Sequence, residues 1–333
     1  METAKLKEVL NSAYKHTSSR DAEEIYKSFI FDNDRIIVIN KNYSLEIPFE
    51  SGIQIMVPSE ETLKIINGIE SEKVIFHSKE NSLLIKTSGV QAQISSYEWN
   101  EEMIKALKMK AKWEKAPDHF NKGVKLCIFS ASKDITMEQF NAVYIDGNTI
   151  QSTDNFRISL YDMKESMKNF LLPLPSAVIL SNQKTNYYFL EENMVHFRNE
   201  DKSIIHCRIM DCKEYPDVSS FFETKKKDKF TLPEELSKTI SLVSVLAEGD
   251  FLLDKKIKVS INKGIMKCRA ENETGWIESN IKIDTDKNIS FLINPYFFME
   301  ILKLSSEVFT DGRKIIFTMK NFSHLMMLLE EEK

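Results

Sequence analysis

The residues of this chain that could do chemistry are thinly spread. Its six histidines lie far apart, and none sits beside an evident nucleophile. His206-Cys207 with Cys212 offers three soft ligands and no fourth at zinc-finger spacing, so a strand with incidental thiols is expected there. Asp284-Thr285-Asp286-Lys287-Asn288 opens like a calcium loop. Ile289 stands where that loop needs glycine and Pro295 where it needs a bidentate glutamate, so a solvated turn before a strand is expected. GxxxxGK[ST], GxGxxG, GxSxG and HExxH are all absent. A hydrolase whose carboxylates meet only in space, such as Asp146, Asp154 and Asp162, stays open as a reading that the spacing does not favour. The expectation is a binding protein that is not an enzyme and uses no metal or cofactor.

The composition points the same way. The chain has 333 residues, 42% of them hydrophobic and 29% charged, which is ordinary globular material. At roughly 100–150 residues per domain, two or three domains are expected. No apolar run is long enough to span a membrane, and the polar start Met1-Glu2-Thr3-Ala4-Lys5 is unlike a signal peptide. Cys127, Cys207, Cys212 and Cys268 are too few for a disulfide scaffold and suit a reducing cytoplasm. Nine glycines argue against glycine-rich nucleotide-binding folds. With a net charge of −5, any contact with nucleic acid must be local.

The elements that must position these residues recur. Val57-Pro58-Ser59 starts a helix that Gly68 ends, and β-rich runs follow at Lys73–His77, Ser82–Thr87 and Val90–Ser95. The order returns at Leu172-Pro173, with strands at Thr185–Leu190, Met194–Arg198 and Ser203–Ile209. It returns again at Ile293-Asn294-Pro295, with a helix over Tyr296–Ser305 and strands at Arg313–Met319 and His324–Leu329.

A second unit precedes each of these, a longer amphipathic helix followed by a hairpin and a further strand. Its helices carry the apolar stripes Leu6-Val9-Leu10-Ala13-Tyr14, Phe120-Val124-Cys127-Ile128-Ala131 and Leu236-Ile240-Val243-Ala247. Its hairpins are Ser28–Asp32 with Arg35–Asn40, Asn141–Ile145 with Thr149–Ser152, and Lys256–Ile261 with Ile265–Ala270. Each half would expose sheet edges. Joining halves edge to edge hides them, and closing the series into a ring removes them. The expected division is 1–100, a lysine-rich connector 101–117, 118–223, a charged linker 224–229, and 230–333. Were the connector helical, Lys105, Lys108, Lys112 and Lys115 would form one stripe.

This grammar resembles the bacterial β sliding clamp, the processivity ring of the replicative DNA polymerase. Ser152-Thr153-Asp154-Asn155-Phe156-Arg157-Ile158 is similar to the family's Ala-Thr-Asp-Gly-His-Arg-Leu. Lys213-Glu214-Tyr215-Pro216-Asp217 is similar to its Gly-Arg/Lys-Phe-Pro-Asp, and Phe129-Ser130-Ala131-Ser132-Lys133-Asp134 to its Phe-Ala-Val-Ser-Lys-Asp. Asn155-Phe156 in place of Gly-His, Met327-Leu328-Leu329-Glu330 in place of Met-Pro-Met-Arg, and a shorter chain suggest a divergent or phage-type member.

The resemblance implies an α+β fold of three tandem clamp domains, each of two helix-plus-antiparallel-sheet halves, closing into a ring as a head-to-tail homodimer around double-stranded DNA. A chain of this fold that no longer closes, acting as an interaction or inhibitory module in DNA replication, is the alternative. Lysines on the polar faces of the lining helices would meet phosphates without reading bases: Lys5, Lys7, Lys15, Lys64, Lys122, Lys125, Lys133, Lys184, Lys238 and Lys303. A DNA polymerase and a clamp loader would dock through short peptides on Phe140, Thr153, Asn155, Phe156, Arg157, Ile158, Leu325, Met326, Met327 and Leu328.

Overall fold

The computed structural model describes residues 1–18, 21–99, 101–107, 111–213, 215–223 and 228–329. From the amino end run helix α1 (Thr3–Tyr14) and strands β1 (Ser28–Asp32), β2 (Arg35–Ile39), β3 (Tyr43–Pro48) and β4 (Gln54–Pro58). Helix α2 (Ser59–Gly68) follows, with β5 (Ile75–Lys79), β6 (Ser82–Lys86) and β7 (Gln91–Ser95). After helix α3 (Glu101–Ala106) and the two-residue β8 (Glu114–Lys115), the order repeats. It runs through α4 (Phe120–Cys127), β9 (Ala142–Asp146), β10 (Thr149–Thr153), β11 (Arg157–Asp162) and β12 (Phe170–Pro173), then α5 (Leu174–Leu180), β13 (Thr185–Leu190), β14 (Met194–Asn199) and β15 (Ile204–Arg208). The third round comprises β16 (Asp228–Thr231), α6 (Leu236–Val243), β17 (Ile257–Asn262), β18 (Ile265–Asn272), β19 (Gly275–Lys282) and β20 (Ile289–Ile293). It ends with α7 (Pro295–Leu302), β21 (Glu307–Thr310), β22 (Lys314–Met319) and β23 (Phe322–Met327).

The expected helices and hairpins form within a few residues of their expected bounds. The apolar stripes are inside: Leu6, Leu10 and Ala13 on α1, Phe120, Val124 and Cys127 on α4, and Leu236, Ile240 and Val243 on α6 are all buried. Gly123 lets α4 lie flush on its sheet, since a Cβ there would come within 2.6 Å of the Tyr161 ring and 2.7 Å of Ile150. The last strand begins at Phe322, two residues before the expected His324. Strands β4, β12 and β20 are additions. β4 and β12 run straight into their helices, and the single residue Asn294 separates β20 from α7.

The chain forms two compact units, residues 1–121 with 175–210, and residues 122–174 with 211–333. In the first, eight strands run β4-β1-β2-β3-β15-β14-β13-β8, beside the three-stranded sheet β5-β6-β7. In the second, eight strands run β12-β9-β10-β11-β23-β22-β21-β16, beside the four-stranded sheet β19-β18-β17-β20. Halves therefore do join edge to edge, at an antiparallel β3–β15 seam and an antiparallel β11–β23 seam. Among the described residues of the connector no continuous basic helix forms. Helix α3 ends at Ala106, Lys108 lies outside the described residues, and Lys115 extends a sheet as part of β8. Among the described residues no helix is long and apolar enough to cross a membrane.

Candidate docking site

The segment from Thr153 to Arg157 is a tight turn that organises itself. Thr153 Oγ1 donates to the Arg157 carbonyl at 2.9 Å and accepts from the Asn155 N–H at 3.2 Å. The Asp154 carboxylate accepts from the Phe156 and Arg157 N–H groups at 3.1 and 3.0 Å. Asn155 takes φ +72°, a left-handed conformation that asparagine tolerates better than most residues. The turn holds Phe156 at its rim, 38% exposed, and drives Arg157 inward.

Arg157 is enclosed by two carboxylates and two rings. Its Nε donates to Asp154 Oδ2 at 2.8 Å, and its Nη1 donates to Glu300 Oε2. Its guanidinium lies 4.0 Å from the Phe297 ring centre and 5.5 Å from that of Phe129. Burial pushes the Asp154 carboxyl above its usual range, more than Arg157 pulls it down. Behind Arg157, His324 is wholly buried and accepts or donates at Ser159 Oγ, 3.0 Å from Nδ1. Burial, with Arg157 adding to it, holds this histidine well below its ordinary pKa. Arg157 is thus a wall, with both charge partners in place.

Beside that wall opens a cavity of about 270 Å³. Met137, Phe156, Leu252, Leu253, Tyr296 and Phe297 supply its apolar lining, and Lys133, Asp134, Asp154, Arg157 and Glu300 its polar rim. The opposite face of β11 is different. Because side chains alternate along a strand, Ile158 points away from Arg157. It packs with Leu325, Ile316 and Val218, against which Tyr215, Phe222 and Phe309 lie. Phe140 reaches this group through Tyr215, with ring centres 6.5 Å apart.

The residues expected to hold a peptide therefore divide between two faces. Thr153, Asn155, Phe156 and Arg157 form the turn and cavity wall. Ile158, Leu325 and Phe140 belong to the apolar group behind, Met326 is buried, and Leu328 is half-buried. Met327, 41% exposed, is tied to the turn by its N–H, which donates to the Phe156 carbonyl at 2.9 Å. Leu252, Leu253, Tyr296, Phe297, Glu300 and Met137 were not expected. The signal for the first two was Phe251-Leu252-Leu253, an apolar triplet between aspartates where a loop should be polar.

The expected phosphate-facing lysines lie on or just beyond every helix except α3. Lys5, Lys122, Lys125, Lys133, Lys238 and Lys303 are exposed. Lys64 and Lys184 are exposed but ion-paired to Glu60 and Glu200, at 2.6 and 3.4 Å. Lys15, the residue that follows α1, is exposed as well. Lys7 donates its Nζ to the carbonyls of Asn67 and Ile69, at 3.0 and 2.7 Å, so it braces α1 against the end of α2. On α6 Leu242 is 54% exposed, and just beyond the helix Val245 is 73% exposed. Among the described residues no three His, Cys, Asp or Glu side chains could share a metal ion. Asp146 and Asp162 sit at one end of the β10–β11 hairpin and Asp154 at the other, so that trio is not a site.

No family model matches the chain. A β sliding clamp from Mycoplasma genitalium is 23% identical over 283 residues, which are 75% of this chain and 72% of that protein. The DNA polymerase III β chain of Streptococcus pneumoniae superposes with a TM-score of 0.85 at 15% identity, covering 99% of this chain and 98% of that one. A Bartonella birtlesii sliding clamp bound to griselimycin superposes with a TM-score of 0.84 at 13% identity, over 99% and 98% of the two chains. These likenesses bear out the resemblance read from the sequence, and the solved structures give this chain their fold from end to end.

Proposed function

We propose that this chain, which has the β sliding clamp fold over its whole length, is a DNA sliding clamp. Two copies close a ring around duplex DNA and tether a replicative polymerase, with no chemistry of the clamp's own and in the cytoplasm. Three clamp domains per copy, divided as the sequence suggests, supply the six joined half-pairs of that ring.

The observation that carries the reading is a register shared by the two seams. In the hairpins that lead to them, Ile37 pairs Glu46, Gln151 pairs Leu160 and Lys267 pairs Asn280, each two residues into its second strand. Tyr43, Arg157 and Ile277 are then equivalent. On the other side Val195 pairs Cys207, Ile315 pairs Met326 and Leu83 pairs Ile94. Cys207 faces Tyr43, and Met326 faces Arg157. The third pair, Ile94 and Ile277, lies on β7 and β19, which end their sheets. A second copy satisfies both edges at once, because β7 of each copy meets β19 of the other with Ile94 opposite Ile277.

The same register sets Ala92 opposite Ser279. In a Cys212→Ser background, Ala92→Cys with Ser279→Cys should oxidise to a covalent dimer, whereas Ala92→Cys with Asn280→Cys, one residue out of step, should not. A chain that stays monomeric at high concentration supports the module that does not close. For DNA, a loaded ring should stay on a nicked circle and leave when the circle is cut. Replacing Lys122, Lys125 and Lys238 together should weaken retention alike for all sequences and lower its salt dependence. The cavity and Met327 make the docking surface for a partner's short apolar peptide. Griselimycin, which the Bartonella birtlesii clamp binds, is the probe: binding by the wild-type chain, lost in Phe297→Ala, supports the site, and undiminished binding by that variant removes it.

A further inference from the structure

We infer that Asn294 is the positioning residue that builds the docking cavity, an inference that rests on the docking-site reading above. Asn294 is 5% exposed and precedes Pro295, with φ −70° and ψ 118°, the extended conformation favoured before proline. Its side-chain oxygen accepts from the N–H groups of Tyr296 and Phe297 at 3.0 and 3.2 Å, which caps α7. Its side-chain NH2 donates to the carbonyls of Leu252 and Leu253 at 2.8 and 3.2 Å. All four residues so tied line the cavity, two from a helix start and two from a loop about forty positions earlier.

Within the loop tip the Asp254 N–H donates to the Phe251 carbonyl at 3.1 Å. Leu252 and Leu253 are 54% and 46% exposed and belong to no helix or strand. The loop is closed at its base by a bridge between Glu248 and Lys256, and by Lys255 Nζ donating to the Ala247 carbonyl at 3.2 Å. Beyond that base, the tip is held by the Asn294 amide. Four hydrogen bonds from one carboxamide use its full acceptor and donor capacity, so the side chain sets the distance between the two apolar walls.

The two ends of this amide can be separated. Asn294→Asp keeps oxygens that accept from Tyr296 and Phe297 and sets an oxygen against the Leu252 and Leu253 carbonyls. Asn294→Ser keeps a capping oxygen on an arm too short for the loop. In either variant, exchange of the Asp254 N–H, which donates to the Phe251 carbonyl at 3.1 Å across the loop tip, should rise at least about tenfold while 296–302 stays protected. Griselimycin affinity should fall about tenfold with the melting temperature little changed. Loop exchange that does not rise, or a loop that opens while affinity holds, overturns the inference. A wild-type chain that ignores griselimycin, or a Phe297→Ala chain that binds it fully, counts instead against the docking site, and loop exchange alone then judges the role of Asn294.

Discussion

At the β3–β15 seam, Glu46 stands opposite Ile204 and His206 opposite Ser44. Glu46 is buried and takes Arg35 at 2.6 Å and His206 at 3.1 Å. Arg35 also binds Asp32, and His206 shares a hydrogen bond of 2.8 Å with His196. At the equivalent places of the β11–β23 seam, Leu160 stands opposite Ser323 and Ile158 opposite Leu325, and one face is filled by Ile158, Leu325, Ile316 and Val218. The backbone ladder is the same at both. One seam is closed by a chain of buried charges and the other by aliphatic packing with a neutral histidine behind it. Backbone pairing and register are therefore what the repeat conserves between its seams. The side chains that fill them vary, as they do at β7 and β19, the edges proposed to pair between copies.

The largest expected effect follows from the charged seam. Removing one partner of a buried ion network strands the others, at about 3–5 kcal/mol. Glu46→Ala should lose that much stability in urea unfolding, since Arg35 and His206 both lose their shared anion. A loss below about 1 kcal/mol would erase the contrast between the seams. At the aliphatic seam, Leu325 is fully buried, and Leu325→Ala should cost about 2–4 kcal/mol through lost packing and the cavity left behind. The two residues lie in different compact units, so the losses should add within about 0.5 kcal/mol.

Acid should separate the seams next. Burial and the neighbouring His206 lower the His196 pKa to about 4. The unfolded chain therefore takes up a proton below about pH 6.5 that the folded chain resists, so this contribution to stability is lost as pH falls from 6.5 toward 4. Burial works to raise the Glu46 carboxyl, but His206 and Arg35 overcome it and hold the group below its usual range, so its contribution is also lost in acid. In the other unit His324 acts in the same direction as His196, while Asp154, raised by burial, gains stability on protonation and offsets it. Hydrogen exchange in the β3–β15 sheet should quicken as pH falls from 6.5 toward 4, and relief on protonation of Asp154 should appear only in the β11–β23 sheet. His196→Gln should flatten the pH slope by on the order of 1–2 kcal/mol.

The sequence made the hairpins and amphipathic helices legible because their periods and turn residues are local. Asp146-Gly147, Lys263-Gly264 and the Phe120-Val124-Cys127 stripe needed no partner to be read. The strands that run straight into helices, such as Gln54–Pro58, were hidden because no turn residue separates strand from helix. Half of the proposed docking site was legible in the turn Thr153–Ile158. Its other half was not, because Leu252 and Phe297 reach the cavity only through the Asn294 side chain, a contact across about forty residues that no local pattern announces. The tie of Lys7 to α2 was hidden for a similar reason. The spacing of Lys7 on α1 places it on a polar face, but the carbonyls that take its charge come from the end of α2, some sixty residues away.

The smallest effect tests the turn that both faces of β11 share. Asn155 occupies the place where the sequence resemblance has glycine, at φ +72°. Its backbone N–H is held by Thr153 Oγ1, and the hydrogen bonds that place Phe156 and Arg157 come from Asp154. Its own side chain supplies tolerance of the left-handed conformation. Asn155→Gly should then fold with stability within about 0.5 kcal/mol of the parent, the easier φ offset by greater freedom of the unfolded chain. Asn155→Ala should lose about 1 kcal/mol, because its Cβ meets the following carbonyl in that conformation with nothing to compensate. Thermal unfolding measures both. The contrast between the seams predicts where the alanine loss falls: exchange should quicken over Thr153–Tyr161 and Phe322–Met327 and leave the β3–β15 strands as they were. If Asn155→Ala loosened the β3–β15 sheet as well, the two seams would not be independent.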